Sequence, residues 1–184
     1  MLAATANDNP DFTFYAANKL SEADRLDEAE AKYTAIENTY SKPELVCVNL
    51  SELYREKNKP DKAIAMAKKA YELGKDSDSI LPAFVYAKRL SEAGRFDEAV
   101  EILRFPHHKA TYHEDVVSFW TDCMRHVIEK SIADRKFMQA EEQCKHLLII
   151  APDDEFGKAK LEEVREILFP KKEQQEEADP AASL

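Results

Sequence analysis

Three histidines crowd one short segment. His107, His108 and His113 stand beside Glu114 and Asp115, with Cys123 and His126 further along. Imidazole, thiolate and carboxylate are the usual ligands of zinc. Their spacing here does not serve a metal. Zinc-binding helices place two histidines at i and i+4 with a carboxylate between them, and no such arrangement is present. His113 and His126 are 13 residues apart, which on a helix rising about 1.5 Å per residue is about 20 Å. No metal and no cofactor is expected, and the segment FPHHKATYHE reads as a polar loop broken at Pro106.

The paired carboxylates Asp27-Glu28, Asp97-Glu98 and Glu141-Glu142 are a second candidate, for acid–base work. They recur in register at expected helix starts, where negative charge complements the helix dipole. Cys123 and His126 lie one turn apart and could in principle form a thiolate–imidazole pair; a buried helix face explains them more simply. No GxSxG, HExxH or phosphate-binding loop occurs, and no catalysis is expected.

Composition narrows the class further. The chain has 184 residues, 44% hydrophobic and 34% charged, with only 3 glycines. So few glycines argue against glycine-rich phosphate loops and turn-heavy β folds, which need residues at positive φ. A net charge of −10 repels phosphate backbones and anionic lipids, so neither nucleic acid nor a membrane surface is an expected partner. No apolar run approaches the roughly 20 residues that span a bilayer. The start, MLAATA, lacks the positive and apolar regions of a signal peptide. Cys47, Cys123 and Cys144 are odd in number and without CxxC spacing, as reduced thiols of a cytoplasmic protein would be. The sequon Asn49-Leu50-Ser51 falls inside an apolar-periodic stretch and is read as chance.

The elements that hold these residues follow from a repeat. Leu20–Ala29, LSEADRLDEA, and Leu90–Ala99, LSEAGRFDEA, agree at eight of ten positions. Two looser copies end at Ala63 and Ala140. Anchored on Ala29, Ala63, Ala99 and Ala140, the spacings are 34, 36 and 41 residues, near the period of a helix–turn–helix repeat. Twelve residues before the anchors stand Ala17, Ser51, Ala87 and Ile128; four after them stand Tyr33, Ala67, Leu103 and Cys144. Small residues at one level let two helices approach, and larger ones a turn away fill the seam. Asp24-Arg25, Asn58-Lys59 and Gly94-Arg95 mark turns.

On these residues the chain resembles the tetratricopeptide-repeat family. The anchor alanines, Tyr33, Tyr54 and the closing Pro152 match its signature, over about residues 11 to 152. Thr13, Cys47, Ala83 and Met124 stand where the signature has tryptophan, and Pro43 falls two residues late. The resemblance implies an all-α, right-handed α-solenoid of about four helix–turn–helix repeats with a C-terminal capping helix. The expected helices are 11–23, 27–40, 44–57, 60–74, 78–93, 96–104, 112–134, 137–150 and 154–168. Residues 1–10 are then a lead-in, 11–170 the repeat domain, and 171–184 a disordered acidic tail.

The resemblance also implies a concave groove lined by the first helix of each repeat. Fifteen before the anchors stand Phe14, Val48, Phe84 and Arg125; eleven before stand Asn18, Glu52, Lys88 and Glu129. The two rows are four residues apart and share a helix face. Phe14, Val48 and Phe84 would form an exposed apolar stripe, and exposed stripes mark partner sites. Glu52, Arg55, Lys88, Arg125 and Glu129 would orient the partner. One subtype of the family clamps the carboxylate of chaperone tails with groove cations and two asparagines. Asn18 and Asn49 suit it, but Phe14, Leu81 and Val85 occupy the cationic positions, so that subtype is rejected. The function implied is a non-catalytic protein-binding module for an apolar or amphipathic segment. A small cytosolic chaperone of a secreted subunit and a substrate-recruiting domain of a larger enzyme are the alternatives. Self-association through end repeats is a further possibility; the starting Met and the acidic tail fit a complete small protein.

Overall fold

The computed structural model describes residues 9–103 and 113–170. Most of the expected lead-in, the loop residues His107 and His108, and the expected tail lie outside the described residues. Among those described are nine α-helices and no strand: α1 (Pro10–Glu22), α2 (Leu26–Ile36), α3 (Pro43–Glu56), α4 (Pro60–Leu73), α5 (Leu81–Glu92), α6 (Phe96–Ile102), α7 (Glu114–Ala133), α8 (Phe137–Ile150) and α9 (Glu155–Leu168).

Four turns set the repeat. Each places one left-handed residue five positions before its anchor alanine: Asp24 (φ 58°), Asn58 (φ 54°), Gly94 (φ 72°) and Arg135 (φ 59°). The next amide then donates to a carbonyl five residues back, Arg25 to Leu20 at 2.9 Å, Lys59 to Tyr54 at 2.8 Å, Arg95 to Leu90 at 2.9 Å and Lys136 to Ser131 at 2.8 Å. This bond closes the C-terminus of the preceding helix and starts the next one in a fixed direction. Glycine adopts the left-handed region freely, and Asp and Asn tolerate it; Arg135 holds it at a cost of roughly 1 kcal/mol. Asp134 precedes it in the turn, but nothing in the sequence marks Arg135 itself as the left-handed residue.

Helix starts use different chemistry. Pro10, Pro43 and Pro60 open α1, α3 and α4, where a missing N–H loses nothing. Asn9 caps α1 by accepting from the Asp11 amide at 2.9 Å. Asp154 caps α9 by accepting from the Gly157 amide at 2.7 Å. Two boundaries differ from expectation. α2 stops at Ile36, whose carbonyl accepts from the amides of Thr39 (3.0 Å) and Tyr40 (2.9 Å). α5 starts only at Leu81 because serine hydroxyls hold the backbone before it: Ser77 Oγ donates to the Gly74 carbonyl at 2.8 Å, and Ser79 Oγ accepts from Leu81 N–H at 3.3 Å.

The chain divides into two compact units, one up to Cys123 and one from Met124. In the first, Ala29, Ala63 and Ala99 and the residues twelve before them, Ala17, Ser51 and Ala87, are all fully buried. Small side chains at these levels let paired helices come close, and the Ser51 hydroxyl is satisfied by the Ala63 carbonyl at 2.9 Å. Tyr33, Leu50, Leu53, Leu90 and Leu103 fill the space beside them, each contributing about 1.5–3 kcal/mol by leaving water. The two near-identical segments also make the same bidentate ion pair, Arg25 to Glu28 and Arg95 to Glu98, at 2.6–2.7 Å. Both pairs are exposed and add little stability.

In the second unit Ile128, Ala140, Cys144, Leu147 and Val164 are buried. α9 packs on α8, and Gly157 makes that approach possible. A β-carbon there would stand 3.0 Å from Leu147 Cδ2. α9 also carries exposed Lys158, Glu162 and Glu166, with Ile167 exposed as well and Arg165 reaching Glu141 of α8 at 3.1 Å. Among the described residues no helix is long and apolar enough to cross a membrane.

Candidate functional site

α3 contacts both α1 and α5, so the two expected rows of the first three repeats lie on neighbouring helices. At the α1–α3 junction sits a polar cluster. Tyr33 Oη donates to Asn18 Oδ1 at 2.5 Å; Asn49 Nδ2 donates to the same oxygen at 2.9 Å and to Tyr33 Oη at 3.3 Å. Tyr33 is buried, and burial pushes its phenol up to about 12, partly opposed by the Asn49 bond. It is therefore a neutral donor at any physiological pH and fixes which way both amides point. Among the described residues Asn18 Nδ2 and Asn49 Oδ1 have no partner, and neither is buried. The two amides are joined by their mutual bond, and the donor and acceptor left over are the groups that a peptide main chain could meet.

Apolar groups flank this pair. Phe14 is half-buried, stacked on Tyr40 at 4.5 Å and edge-on to Tyr33 at 6.0 Å. On α5, Phe84 is half-buried, meets Phe119 of α7 edge-to-face at 5.5 Å, and carries the Lys88 ammonium 5.7 Å from its ring centre. Val48 corrects the expectation of a continuous exposed stripe. It keeps only 6% of its surface exposed, on a helix that contacts both α1 and α5. The apolar groups left partly open are two separated aromatics, Phe14 on α1 and Phe84 on α5, with the amide pair at the α1–α3 junction.

The charged members form a network whose centre the sequence did not reveal. Arg89, on α5, has its side chain 1% exposed. Its Nη2 donates to Glu52 Oε1 and its Nη1 to Glu92 Oε2, both at 2.6 Å. Glu52 Oε2 accepts from Arg55 Nε at 2.9 Å. Glu52 and Glu92 together thus neutralise Arg55 and the buried Arg89 before any partner arrives, while the Lys88 ammonium rests over the Phe84 ring. Arg125 and Glu129 belong to the second unit. There Arg125 Nη2 holds the capping carboxylate Asp154 at 2.6 Å, and Glu129 lies 4.0 Å from His126.

The thiols offer no nucleophile in this state. All three are buried, and burial pushes Cys47 and Cys144 up to about 11. Cys123 is pushed up by the same cause, partly opposed by a hydrogen bond with Ser91. Among the described residues no group of three or more His, Cys, Asp or Glu could hold a metal.

Compared with solved structures, the chain superposes on pilF of Pseudomonas aeruginosa over 87% of its own length and 67% of that chain, with TM-score 0.52 and 15% identity. It superposes on YrrB, a TPR protein with an unusual peptide-binding site, over 89% and 79%, with TM-score 0.55 and 14% identity. The chain has the tetratricopeptide-repeat fold. No family model and no curated protein matches the sequence. In tetratricopeptide-repeat terms, the site residues sit on the first helix of three successive repeats. Tyr33, the residue that orients the amides, comes from the second helix of the first repeat. Its place four after an anchor alanine marks it as seam packing, and nothing in that spacing points to its hydroxyl.

Proposed function

We infer that this chain is a protein-binding module that holds an apolar or amphipathic segment of a partner along the face of α1, α3 and α5, without catalysis of its own. The observation that carries the reading is the Asn18–Tyr33–Asn49 cluster, which leaves one amide donor and one acceptor free and oriented. These would take the partner's main chain, and the flanking Phe14 and Phe84 its apolar side chains. Lys88 favours an acidic residue on the partner near Phe84. The net charge of −10 continues to disfavour nucleic acid, and the reduced thiols fit a cytoplasmic setting. A described peptide site on a protein of the same fold, YrrB, supports the kind of ligand.

The test pairs capture with stability. Wild type, Asn18→Ala/Asn49→Ala and Phe84→Ala are used to capture proteins from native lysate, and the affinity of each captured protein is measured by calorimetry. A partner lost by the amide variant, and bound about ten-fold more weakly by Phe84→Ala, supports the reading. Equal binding by all three, with normal urea melts, refutes it.

A further inference from the structure

One face of α1 carries two exposed aromatic rings among charged residues. Phe12 and Tyr15 are 55% and 59% exposed. At about 100° of rotation per residue, Asp11, Phe12, Tyr15, Lys19 and Glu22 fall on one arc of about 100°. The buried Ala17 and half-buried Thr13 and Leu20 lie on the opposite side. In a stacked array this arc is where a preceding repeat would pack.

The order of charges along this arc specifies an occupant. Asp11 and Lys19 are each four residues from Tyr15, one on either side and of opposite sign. A two-fold axis through Tyr15, relating two antiparallel copies of α1, brings Asp11 of each copy level with Lys19 of the other. It also places the two Tyr15 rings together and sets each Phe12 within a turn of the other copy's Lys19 stem. Self-complementarity of this kind is what an isologous interface requires. Lys19 is available for the exchange. Its present contacts, Glu22 Oε2 at 2.6 Å and the Tyr15 ring at 5.7 Å, are both on the exposed surface. We propose that the exposed face of α1 is a homodimer interface, built on Tyr15 at the axis and two symmetric Asp11–Lys19 ion pairs.

The test is sedimentation of the full chain from about 1 μM to about 1 mM, a range suited to a small interface. Wild type should show a concentration-dependent monomer–dimer equilibrium. Tyr15→Asp sets two carboxylates on the axis and should be monomeric throughout. Asp11→Lys and Lys19→Asp should each weaken the dimer by about ten-fold, and the double variant Asp11→Lys/Lys19→Asp should restore it. All sites are exposed, so unchanged circular dichroism and melting checks that folding is intact, and rescue by the double variant cannot come from misfolding. A wild type that stays monomeric overturns the proposal, as does a dimer indifferent to Tyr15→Asp or single reversals that the double variant fails to rescue. Dimerisation seen only after deletion of residues 1–8 also overturns it, by showing that the chain's own start covers the face.

Discussion

Removing the carboxylate at Glu52 should cost this protein more than removing the buried cation it serves. Arg89 is 1% exposed, whereas its partners Glu52 and Glu92 are 36% and 48% exposed. A guanidinium in that position has given up its hydration and relies on the two carboxylates, and its Nε already lacks a partner. Glu52→Gln keeps the volume but halves the neutralising charge. Breaking a fully buried pair costs about 3–5 kcal/mol, and exposed pairs are worth about 0–1 kcal/mol. With Glu52 partly open to water and Glu92 still in place, about 1–2 kcal/mol is expected, a fall in Tm of about 4 °C for a chain of this size. Arg89→Met removes the desolvated charge and the orphaned N–H together, and fills much of the space with an adaptable apolar chain. Glu52 and Glu92 can then hydrate, and Glu52 keeps Arg55. That variant should melt within about 2 °C of wild type. Calorimetric melts and urea titrations of both variants at one pH and ionic strength decide the matter. If Arg89→Met proves the more damaging, the buried guanidinium is a net stabiliser, and the reasoning from desolvation fails.

Three further outcomes follow from the same structure. Gly94→Ala should lower stability by about 1 kcal/mol through backbone strain alone, since φ is 72° and nothing stands within 4 Å of the added carbon; Arg135→Gly, at the equivalent turn, should raise it by up to about 1 kcal/mol, and urea melts read both. Tyr33→Phe keeps the ring packing but removes the hydroxyl that binds Asn18 and Asn49, so a loss of about 1 kcal/mol is expected, with the amide resonances of both asparagines shifting in side-chain NMR spectra. Stability should also fall in alkali: Cys47 and Cys144 are held up to about 11 and Tyr33 to about 12, so the unfolded chain releases protons first. The stability they contribute is whole below pH about 8.5 and is lost as pH rises toward the folded values. A Cys144→Ala variant whose Tm falls as steeply as wild type between pH 8 and 10.5 would contradict this.

Spacing carried the fold because its determinants are local. The anchor alanines and the residues twelve before and four after them are counted along one helix–turn–helix, and all twelve are buried in the structure. A turn written in Asp, Asn or Gly was legible for the same reason. The fourth turn was placed too, between the expected helices 112–134 and 137–150; only the left-handed backbone at Arg135 was not legible, because arginine has no preference for it. The rows at fifteen and eleven before the anchors were legible as positions but not as surfaces. Whether Val48 is groove or core, whether Phe14 stands free or lies under Tyr40, and whether Glu52 meets a partner or Arg89 all depend on what the adjacent helix brings. Those contacts join residues 15 to 37 positions apart, and no periodicity within one helix records them. The sequence by itself determined which residues face their own repeat. The tertiary structure alone decided which of the others remain open to a partner, because exposure belongs to a side chain and its neighbours together.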